Sequence, residues 1–261
     1  MTSPRALYLF CVTRAPAPDD LAARLEALDG FDGATVRALA VGDLLAVLCD
    51  VPVSQWVGDD AAERLKEIRW VAPRALLHED AVSATRSLGP AYPMRFGTIF
   101  SDADALSARL SELRPELLDF FARTGDASEW SIKGWLDTDT LGASLSDASD
   151  DSPASGAAYL LRKRRERDLR ELMDAWIRDR AEELRDLVDP HVRGVVPLAT
   201  RGATREDDDR GLVLKWAALV PDASLEDLRA VLDEEGADLG AHGLDLELVG
   251  PWPAYNFRRP S

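Results

Sequence analysis

Histidine and cysteine are scarce in this chain of 261 residues, which contains three of the first and two of the second. The histidines, His78, His191 and His242, fall in separate predicted elements, and the sequence has no C-x-x-C pair. Structural zinc sites are typically built from closely spaced ligand pairs, so the sequence predicts no metal site. Cys11 and Cys49 lie in apolar, strand-like runs, and we expect both to be reduced thiols in a core.

Long apolar runs are also missing, since no stretch approaches the roughly 18 to 20 residues that a membrane span needs. The apolar run at residues 6–12 is not followed by a small-residue cleavage site, so we expect no signal peptide and no membrane partner. We therefore expect a cytoplasmic protein. No Walker loop, nucleophile elbow or dinucleotide-binding glycine pattern occurs, and the sequence predicts neither a catalytic residue nor a cofactor.

Basic residues are outnumbered, with 31 Lys and Arg against 47 Asp and Glu and a formal net charge of −16. Phosphate binding needs a cationic surface, so this charge argues against nucleic acid as the main partner. Excess negative charge keeps a protein in solution and opposes self-association, which would suit a protein that escorts an aggregation-prone partner. Genome composition or a salty cytoplasm would explain the same bias equally well.

Hydrophobic periodicity predicts the same order of elements twice along the chain. The first half reads as strand 6–12, helix 19–28, strands 35–41 and 44–51, helix 60–86, an extended segment 92–100, and a helix 102–124 capped by Ser101. The second half reads as strand 129–136, helix 156–188, strands 192–199 and 211–220, helix 224–234 and strand 244–249. Each half follows a β-α-β-β-α-β order, which is typical of a ferredoxin-like sheet.

We therefore predict an α+β fold of two domains, each an antiparallel ferredoxin-like sheet with helices packed on one face. The N-terminal domain would comprise residues 1–125, including the trailing helix, and the C-terminal domain residues 126–261. Residues 137–155 are rich in Asp, Ser, Thr and Gly, a composition that cannot bury much apolar surface. We expect this segment to be a mobile surface loop before the long helix 156–188.

Two segments are unusually dense in aromatic residues, glycine and proline. They are Tyr92–Phe100, with the sequence YPMRFGTIF, and Gly250–Phe257, with the sequence GPWPAYNF. Between them lie EWSIK at 129–133 and GAAYL at 156–160, the latter followed by a basic run. In this order the four segments resemble the signature stretches of the gas vesicle protein F and L family. The resemblance extends over nearly the whole chain, although Ala254 stands where the family commonly has a second proline.

The resemblance implies a non-enzymatic accessory protein of gas vesicle formation that binds the small hydrophobic shell protein, of the GvpA type, and assists its assembly. Other gas vesicle accessory proteins are further partners that the family suggests. An alternative is a minor structural component that is retained in the mature vesicle. The F and L members share these motifs, so the motifs do not distinguish between them.

A third alternative is an enzyme that uses His78 together with a nearby carboxylate. His78, Glu79 and Asp80 are consecutive, however, and consecutive residues of a helix point in different directions. We interpret His78 as a structural residue.

Candidate partner contacts come first from arginines. Arg95 is flanked by apolar residues and needs a carboxylate, either from its own fold, which we favour, or from another protein. Arg162, Arg164 and Arg165 belong to a basic run that would form a docking patch for an acidic surface. The acidic residues four positions beyond several of these arginines favour a solvated helix face instead.

The C-terminal aromatic residues Trp252 and Tyr255 are the remaining candidate contacts. Prolines stiffen this segment and prevent a regular element. Its aromatic rings would either seal a groove between the domains, which we favour, or lie exposed as anchors for a partner.

Overall fold

The computed structural model describes residues 4–14, 18–145, 156–200, 203–205 and 210–258. The chain folds into two compact units, unit 1 with residues 1–128 and 252–261, and unit 2 with residues 129–251. The C-terminal residues therefore group with the first half of the chain, and the division into domains at residue 125 stays a prediction. None of the described helices combines the length and apolar character that a membrane crossing requires.

Unit 1 is built around an antiparallel sheet. Its elements are β1 (Arg5–Arg14), α1 (Pro18–Glu26), β2 (Arg37–Val41), β3 (Leu44–Pro52), α2 (Val53–Trp56), α3 (Asp59–Arg64), α4 (Ile68–Arg86), β4 (Ala91–Pro93), β5 (Ile99–Phe100) and α5 (Ala103–Thr124). The strand order is β2-β3-β1-β4, and β5 pairs with β1 as well. All four pairings are antiparallel.

β1 is a central strand because its residues are apolar on both faces. The eight residues between Arg5 and Arg14 are all buried, and the side chains of Tyr8 and Phe10 have no exposed surface. The ring of Tyr8 lies 4.6 Å from that of Phe31 and 4.8 Å from that of Trp56. Burial of each large apolar side chain stabilises the fold by roughly 1.5 to 3 kcal/mol, so this aromatic cluster anchors unit 1.

The predicted extended segment 92–100 is interrupted in the structure. β4 and β5 pair with successive parts of β1. Between them, at residues 94–98, the chain leaves the sheet, and we call this stretch the excursion. Gly97 has a φ of +85°, a value that residues with side chains rarely adopt. The hydroxyl of Tyr8 accepts a hydrogen bond from the Gly97 N–H at 3.1 Å and holds this excursion against the core. The excursion exposes the side chain of Arg95.

Two predicted helices differ in detail from the structure. The predicted helix 60–86 is divided, with a break at residues 65–67 between α3 and α4. Pro73, the residue in this range that would be expected to break or kink a helix, lies inside α4. α5 is capped by Asp102 and not by Ser101, since Asp102 Oδ1 accepts the Ala105 N–H at 2.8 Å. The Ser101 hydroxyl instead donates to the other oxygen of Asp102 and orients the capping carboxylate.

Unit 2 repeats the arrangement with a second antiparallel sheet. Its elements are β6 (Ala127–Leu136), which begins at the end of unit 1, α6 (Thr138–Leu145), α7 (Gly156–Val188), β7 (Gly194–Pro197), β8 (Gly211–Pro221), α8 (Leu225–Gly240) and β9 (Leu244–Trp252). The strand order is β7-β8-β6-β9. A core cluster joins Trp130 and Ile132 of β6 with Leu184 and Val188 of α7. The protein is therefore a mixed α and β protein with two antiparallel sheets.

The segment 137–155, which we expected to be a mobile loop, begins with the helix α6. Asp137 Oδ1 accepts the N–H groups of Asp139 and Thr140 at 3.0 and 3.1 Å, which caps the helix. Leu141 is fully buried in a cluster with Leu136 and other leucines. One capping aspartate and one buried leucine thus stabilise α6. The polar composition of the segment gave no indication of this helix. Residues 146–155 lie outside the described residues.

Gly243, just before β9, occupies a position that only glycine fits. Its φ is +83°, and a Cβ atom there would lie 2.9 Å from Thr140 Cβ and 3.0 Å from the Asp137 carbonyl oxygen. We expect Gly243→Ala to lower the free energy of unfolding by about 1.5 kcal/mol, measured by urea denaturation.

Gly236 in α8 is the matched control for this substitution. A Cβ atom added there meets no atom within 4 Å. Alanine is favoured over glycine inside a helix by roughly 0.5 to 1 kcal/mol, so Gly236→Ala should stabilise the protein. Equal effects of the two substitutions would contradict the assignment of Gly243 as a strained position.

Candidate functional site

The two motif segments meet in one cavity of unit 1, which we call the motif cavity. The first segment contributes Tyr92, Met94, Arg95, Thr98 and Phe100. The C-terminal segment contributes Tyr255 and Asn256, and Arg258, the next residue described after it, also lines the cavity. α5 contributes Ala105, Arg109, Leu113 and Glu116. The cavity has a volume of about 780 Å³, which lies within the roughly 300 to 1,000 Å³ that is common for ligand pockets.

The helix α5 presents one face to the motif cavity. Ala105, Arg109 and Leu113 are four residues apart, and Glu116 follows three residues later, so all four lie on the same side of the helix. The opposite wall comes from the excursion between β4 and β5. The first motif segment lines the cavity with Tyr92 of β4 and Phe100 of β5 as well as with residues between these strands.

The C-terminal segment is tied to three elements of unit 1. Arg123 of α5 donates from both terminal nitrogens to the Phe257 carbonyl oxygen at 3.3 Å. Arg258 Nη1 donates to the Pro93 carbonyl oxygen of β4 at 2.9 Å. The Tyr255 hydroxyl donates to Glu79 Oε2 of α4 at 3.1 Å. These bonds hold the C-terminal segment beside the motif cavity. The expectation that prolines prevent a regular element here is wrong, because the segment begins in β9 and its residues Tyr255–Phe257 form a short 3-10 helix.

The charges around the motif cavity are unevenly compensated. Arg109 pairs with Glu112 at 2.9 Å, and the Tyr92 hydroxyl donates to Glu116 Oε1 at 2.7 Å. Burial, together with this carboxylate, raises the pKa of Tyr92 to about 12. Arg258, in contrast, donates its described hydrogen bonds to carbonyl oxygens. Burial lowers the pKa of the Arg258 guanidinium, and the nearby positive charge of Arg95 acts in the same direction.

Arg95 is exposed on the rim of the motif cavity. Within the described ranges, no carboxylate lies at ion-pair distance from its guanidinium, so the internal partner that we favoured is not found there. The physical reason is the excursion between β4 and β5, which turns the side chain away from the core. The cation is therefore available to a partner.

His78 lies behind the C-terminal segment in the aromatic cluster. Its side chain is 3% exposed, its Nδ1 lies 2.8 Å from the Tyr8 hydroxyl oxygen, and its ring lies 6.4 Å from that of Tyr255. Burial lowers the pKa of His78 to about 4. These contacts are those of a core histidine held in its neutral form.

The predicted basic patch is part of unit 2. Arg164 and Arg165 lie on the exposed surface of α7, and Arg164 pairs with Asp168 at 3.9 Å. Arg167 of the same run lies 3.8 Å from Glu171. Arg162 also belongs to α7, but its side chain lies outside the described part of the chain. The charge-laced helix face that we favoured agrees with these pairs.

The two predicted C-terminal contacts differ in their surroundings. Tyr255 lines the motif cavity and is bonded to α4, whereas Trp252 is 41% exposed and is not a lining residue. The structure therefore brings Arg95 and Tyr255 together at one site.

A smaller cleft in unit 2 offers a weaker candidate site. Its volume is about 300 Å³, and its polar groups already bond to one another. The indole N–H of Trp135 donates to Glu247 Oε2 at 2.8 Å, and Lys133 lies 3.4 Å from the same oxygen. Arg205 lies 3.5 Å from Asp245. Among the residues that the structure describes, no group of three or more His, Cys, Asp or Glu side chains is arranged to hold a metal ion.

The sequence reasoning missed Arg109, Glu116 and Arg258 as cavity residues. Arg258 directly follows the C-terminal motif, and its charge beside two aromatic residues was a usable signal. The residues of α5 share a helix face, but the sequence does not say which segment that face contacts. Only the folded chain joins them to the motif segments.

Comparison with known proteins agrees with the resemblance that the motifs carry. A family model described as gas vesicle synthesis protein GvpL/GvpF matches residues 6–259. Gas vesicle protein L of Streptomyces sp. (strain CB03234) is 27% identical over 265 residues, which cover 98% of this chain and 94% of that protein. Gas vesicle protein L1 of Halobacterium salinarum is 24% identical over 264 residues, covering 96% of this chain and 89% of that protein.

Solved structures show the same fold. The crystal structure of gas vesicle protein GvpF from Anabaena sp. PCC7120 superposes with a TM-score of 0.73 at 13% identity, covering 98% of this chain and 97% of that one. GvpF from Microcystis aeruginosa gives a TM-score of 0.65 at 17% identity, with 98% and 99% covered. With a family model matched from residue 6 to residue 259, the chain belongs to the gas vesicle protein GvpL/GvpF family.

Proposed function

We propose that this chain is a non-enzymatic accessory protein of gas vesicle formation that binds the small hydrophobic shell protein and assists its assembly. Membership of a gas vesicle protein family supports an association with gas vesicle components. The observation that carries the proposal is the motif cavity, since two of the four segments on which the resemblance rests, Tyr92–Phe100 and Gly250–Phe257, line it. We propose a cytoplasmic, vesicle-associated protein, with other gas vesicle accessory proteins as further partners.

The proposed mechanism is masking of an aggregation-prone subunit. A newly made shell subunit would expose apolar surface of high β propensity, which tends to aggregate. A partner with a net charge of −16 would keep the complex in solution by electrostatic repulsion between complexes. The subunit would be released when the growing shell offers it a larger apolar contact.

Two binding modes are possible for such a partner, pairing with a sheet edge and insertion into a groove. Five strands have only one neighbour in their sheet, and three of these edge strands carry a proline within their bounds, namely Pro93 in β4, Pro197 in β7 and Pro251 in β9. Proline cannot donate a hydrogen bond to an added strand, so these edges are poorly suited to pairing. This favours the motif cavity over a sheet edge as the place where the shell protein binds.

We also propose that each unit is a ferredoxin-like domain. Both sheets have the same strand order. In unit 1, β3 pairs with β1, β2 lies outside β3, and β4 flanks β1 on its other side. In unit 2, β8, β6, β7 and β9 take the places of β3, β1, β2 and β4. This shared order supports the proposal, and β5 and α5 would be additions to the pattern in the N-terminal domain.

Co-expression with the shell protein tests the proposed function. We expect tagged protein to co-purify with the shell protein and to increase the soluble fraction of that protein several-fold over expression of the shell protein alone. An unrelated protein of similar net charge serves as the control, because it separates specific masking from a general effect of negative charge.

The outcomes of this experiment separate the two gas vesicle roles. Co-purification with a gain in soluble shell protein supports the accessory role. No association and no gain in solubility would refute it. Retention of the chain in purified vesicles after a wash that removes loosely bound protein would favour the alternative of a minor structural component.

A further inference from the structure

The motif cavity combines positive charge with apolar walls in a protein that is acidic overall. Three arginines and one glutamate line it, and the glutamate already accepts a hydrogen bond from Tyr92. Arg109 is compensated by Glu112, whereas Arg95 and Arg258 have no carboxylate at ion-pair distance within the described part of the chain. Even with the negative charge of Glu116, the lining therefore carries an excess of positive charge.

The two uncompensated arginines act together. Arg95 and Arg258 line the same cavity, so their positive charges repel each other. The charge of Arg95 adds to burial in lowering the pKa of Arg258, while the Glu116 carboxylate opposes this shift. An anion placed between them would relieve this repulsion. A carboxylate suits the site, because a guanidinium binds it with paired, charge-assisted hydrogen bonds.

The rest of the cavity is apolar. Met94 and Phe100 line it from the first motif segment and Leu113 lines it from α5. A free anion would leave these side chains in contact with water, whereas an occupant with apolar side chains beside its carboxylate would cover them. The occupant that fits both features is a peptide segment with an acidic and an apolar side.

We propose that the motif cavity binds an acidic amphipathic segment of a partner protein, with a carboxylate on Arg95 and apolar side chains against Phe100 and Leu113. The argument is charge complementarity within a cavity of about 780 Å³. This inference rests on the proposed function in one respect, since the shell protein is the partner expected to supply the segment.

The test uses the full chain and a labelled, capped helical peptide with leucines on one side and glutamates on the other. Fluorescence anisotropy should show binding of this peptide to the native chain. Two matched peptides, one with glutamine in place of glutamate and one with serine in place of leucine, should bind at least about ten-fold more weakly. Equal binding of the serine peptide would indicate a simple anion site and overturn the proposal.

Variants of the protein locate the binding site. Arg95→Glu should weaken binding of the leucine–glutamate peptide at least about ten-fold, and Leu113→Asn should weaken it as well. Arg24→Glu is the control, because Arg24 is an exposed arginine of α1 in the same unit and its replacement changes the net charge equally. Thermal unfolding checks that all three variants are folded. Equal loss of binding in Arg95→Glu and Arg24→Glu would overturn the assignment of the site.

The same variants separate this inference from the proposed function. One outcome is that the shell protein binds the native chain and Arg95→Glu equally, while the peptide fails to bind. This outcome would overturn the inference and leave the proposed function intact. Peptide binding that depends on Arg95, together with no association of the shell protein, would overturn the proposed function and point to another acidic partner.

Discussion

Replacement of Tyr8 by phenylalanine is expected to lower the free energy of unfolding by about 3 kcal/mol, although the aromatic ring is retained. Tyr8 has no exposed surface, and its hydroxyl bonds to one buried residue and one half-buried residue. It lies 2.8 Å from His78 Nδ1 and accepts the Gly97 N–H at 3.1 Å. Removing it leaves His78 Nδ1 buried without this partner, at a cost of roughly 1 to 3 kcal/mol. It also takes the acceptor from the half-buried Gly97 N–H, which adds about 1 kcal/mol. Urea denaturation followed by circular dichroism measures the change.

Tyr92→Phe is the matched control for this substitution. It removes the same atom, but the Tyr92 hydroxyl bonds to Glu116 at a partly buried position. Water can replace the hydroxyl there, so we expect a loss of about 1 kcal/mol or less. A larger loss for Tyr92→Phe than for Tyr8→Phe would show that the Tyr8 hydroxyl does not have the structural role assigned to it.

Tyr8→Phe should also weaken partner binding at the motif cavity. The Gly97 N–H bond fixes the excursion that carries Arg95, and without it this backbone is free to move. Because a preorganised site loses less entropy on binding, the affinity for an acidic segment should fall even when the variant is fully folded. The core strand β1 thus determines the geometry of a site to which it contributes no lining residue.

The parts of the fold that follow from local pattern were predictable. A strand was expected at residues 6–12, where the run of apolar residues leaves neither face polar, and the eight inner residues of β1 are buried. The helix α7 spans Gly156–Val188, the range that an apolar stripe at helical spacing predicts. In both cases the signal extends over many consecutive residues, so single exceptions do not obscure it.

Parts that depend on one or two residues were not predictable. α6 needs only the Asp137 cap and the buried Leu141, and both occur in a stretch whose composition is typical of a loop. The excursion at 94–98 depends on Gly97 and on a hydroxyl group that lies far earlier in the chain, at a sequence separation of 89. No local pattern contains that information.

The candidate site was predictable in its parts but not as a whole. Arg95 and Tyr255 were each identified from composition, yet they are 160 positions apart, and no spacing rule links them. Their proximity results from anchoring bonds such as that of Arg258 to the Pro93 carbonyl oxygen. The basic run of α7 gave a stronger local signal than Arg95, but its charges are matched by neighbouring carboxylates, as Arg164 and Asp168 illustrate.

Acidification is expected to destabilise the protein through His78 by about 2 kcal/mol between about pH 7 and about pH 5. The pKa of a free histidine is 6.5, and burial lowers the pKa of folded His78 to about 4. Above pH 6.5 the side chain is neutral in both states, so its contribution is constant. As the pH falls below 6.5, the unfolded chain binds a proton that the folded chain does not accept, and stability is lost until the pH reaches about 4.

The comparison with His78→Asn isolates this contribution. Asparagine does not titrate in this range, and all other titratable groups are the same in both proteins, so their effects cancel in the difference. The free energy of unfolding of the wild type should fall by about 2 kcal/mol more than that of the variant over the same pH interval, measured by urea denaturation at each pH.

Proton NMR of the His78 ring gives a second measurement, with no titration expected above about pH 5. A ring that titrates near 6.5, or parallel pH profiles for the two proteins, would mean that water reaches His78 in the folded state.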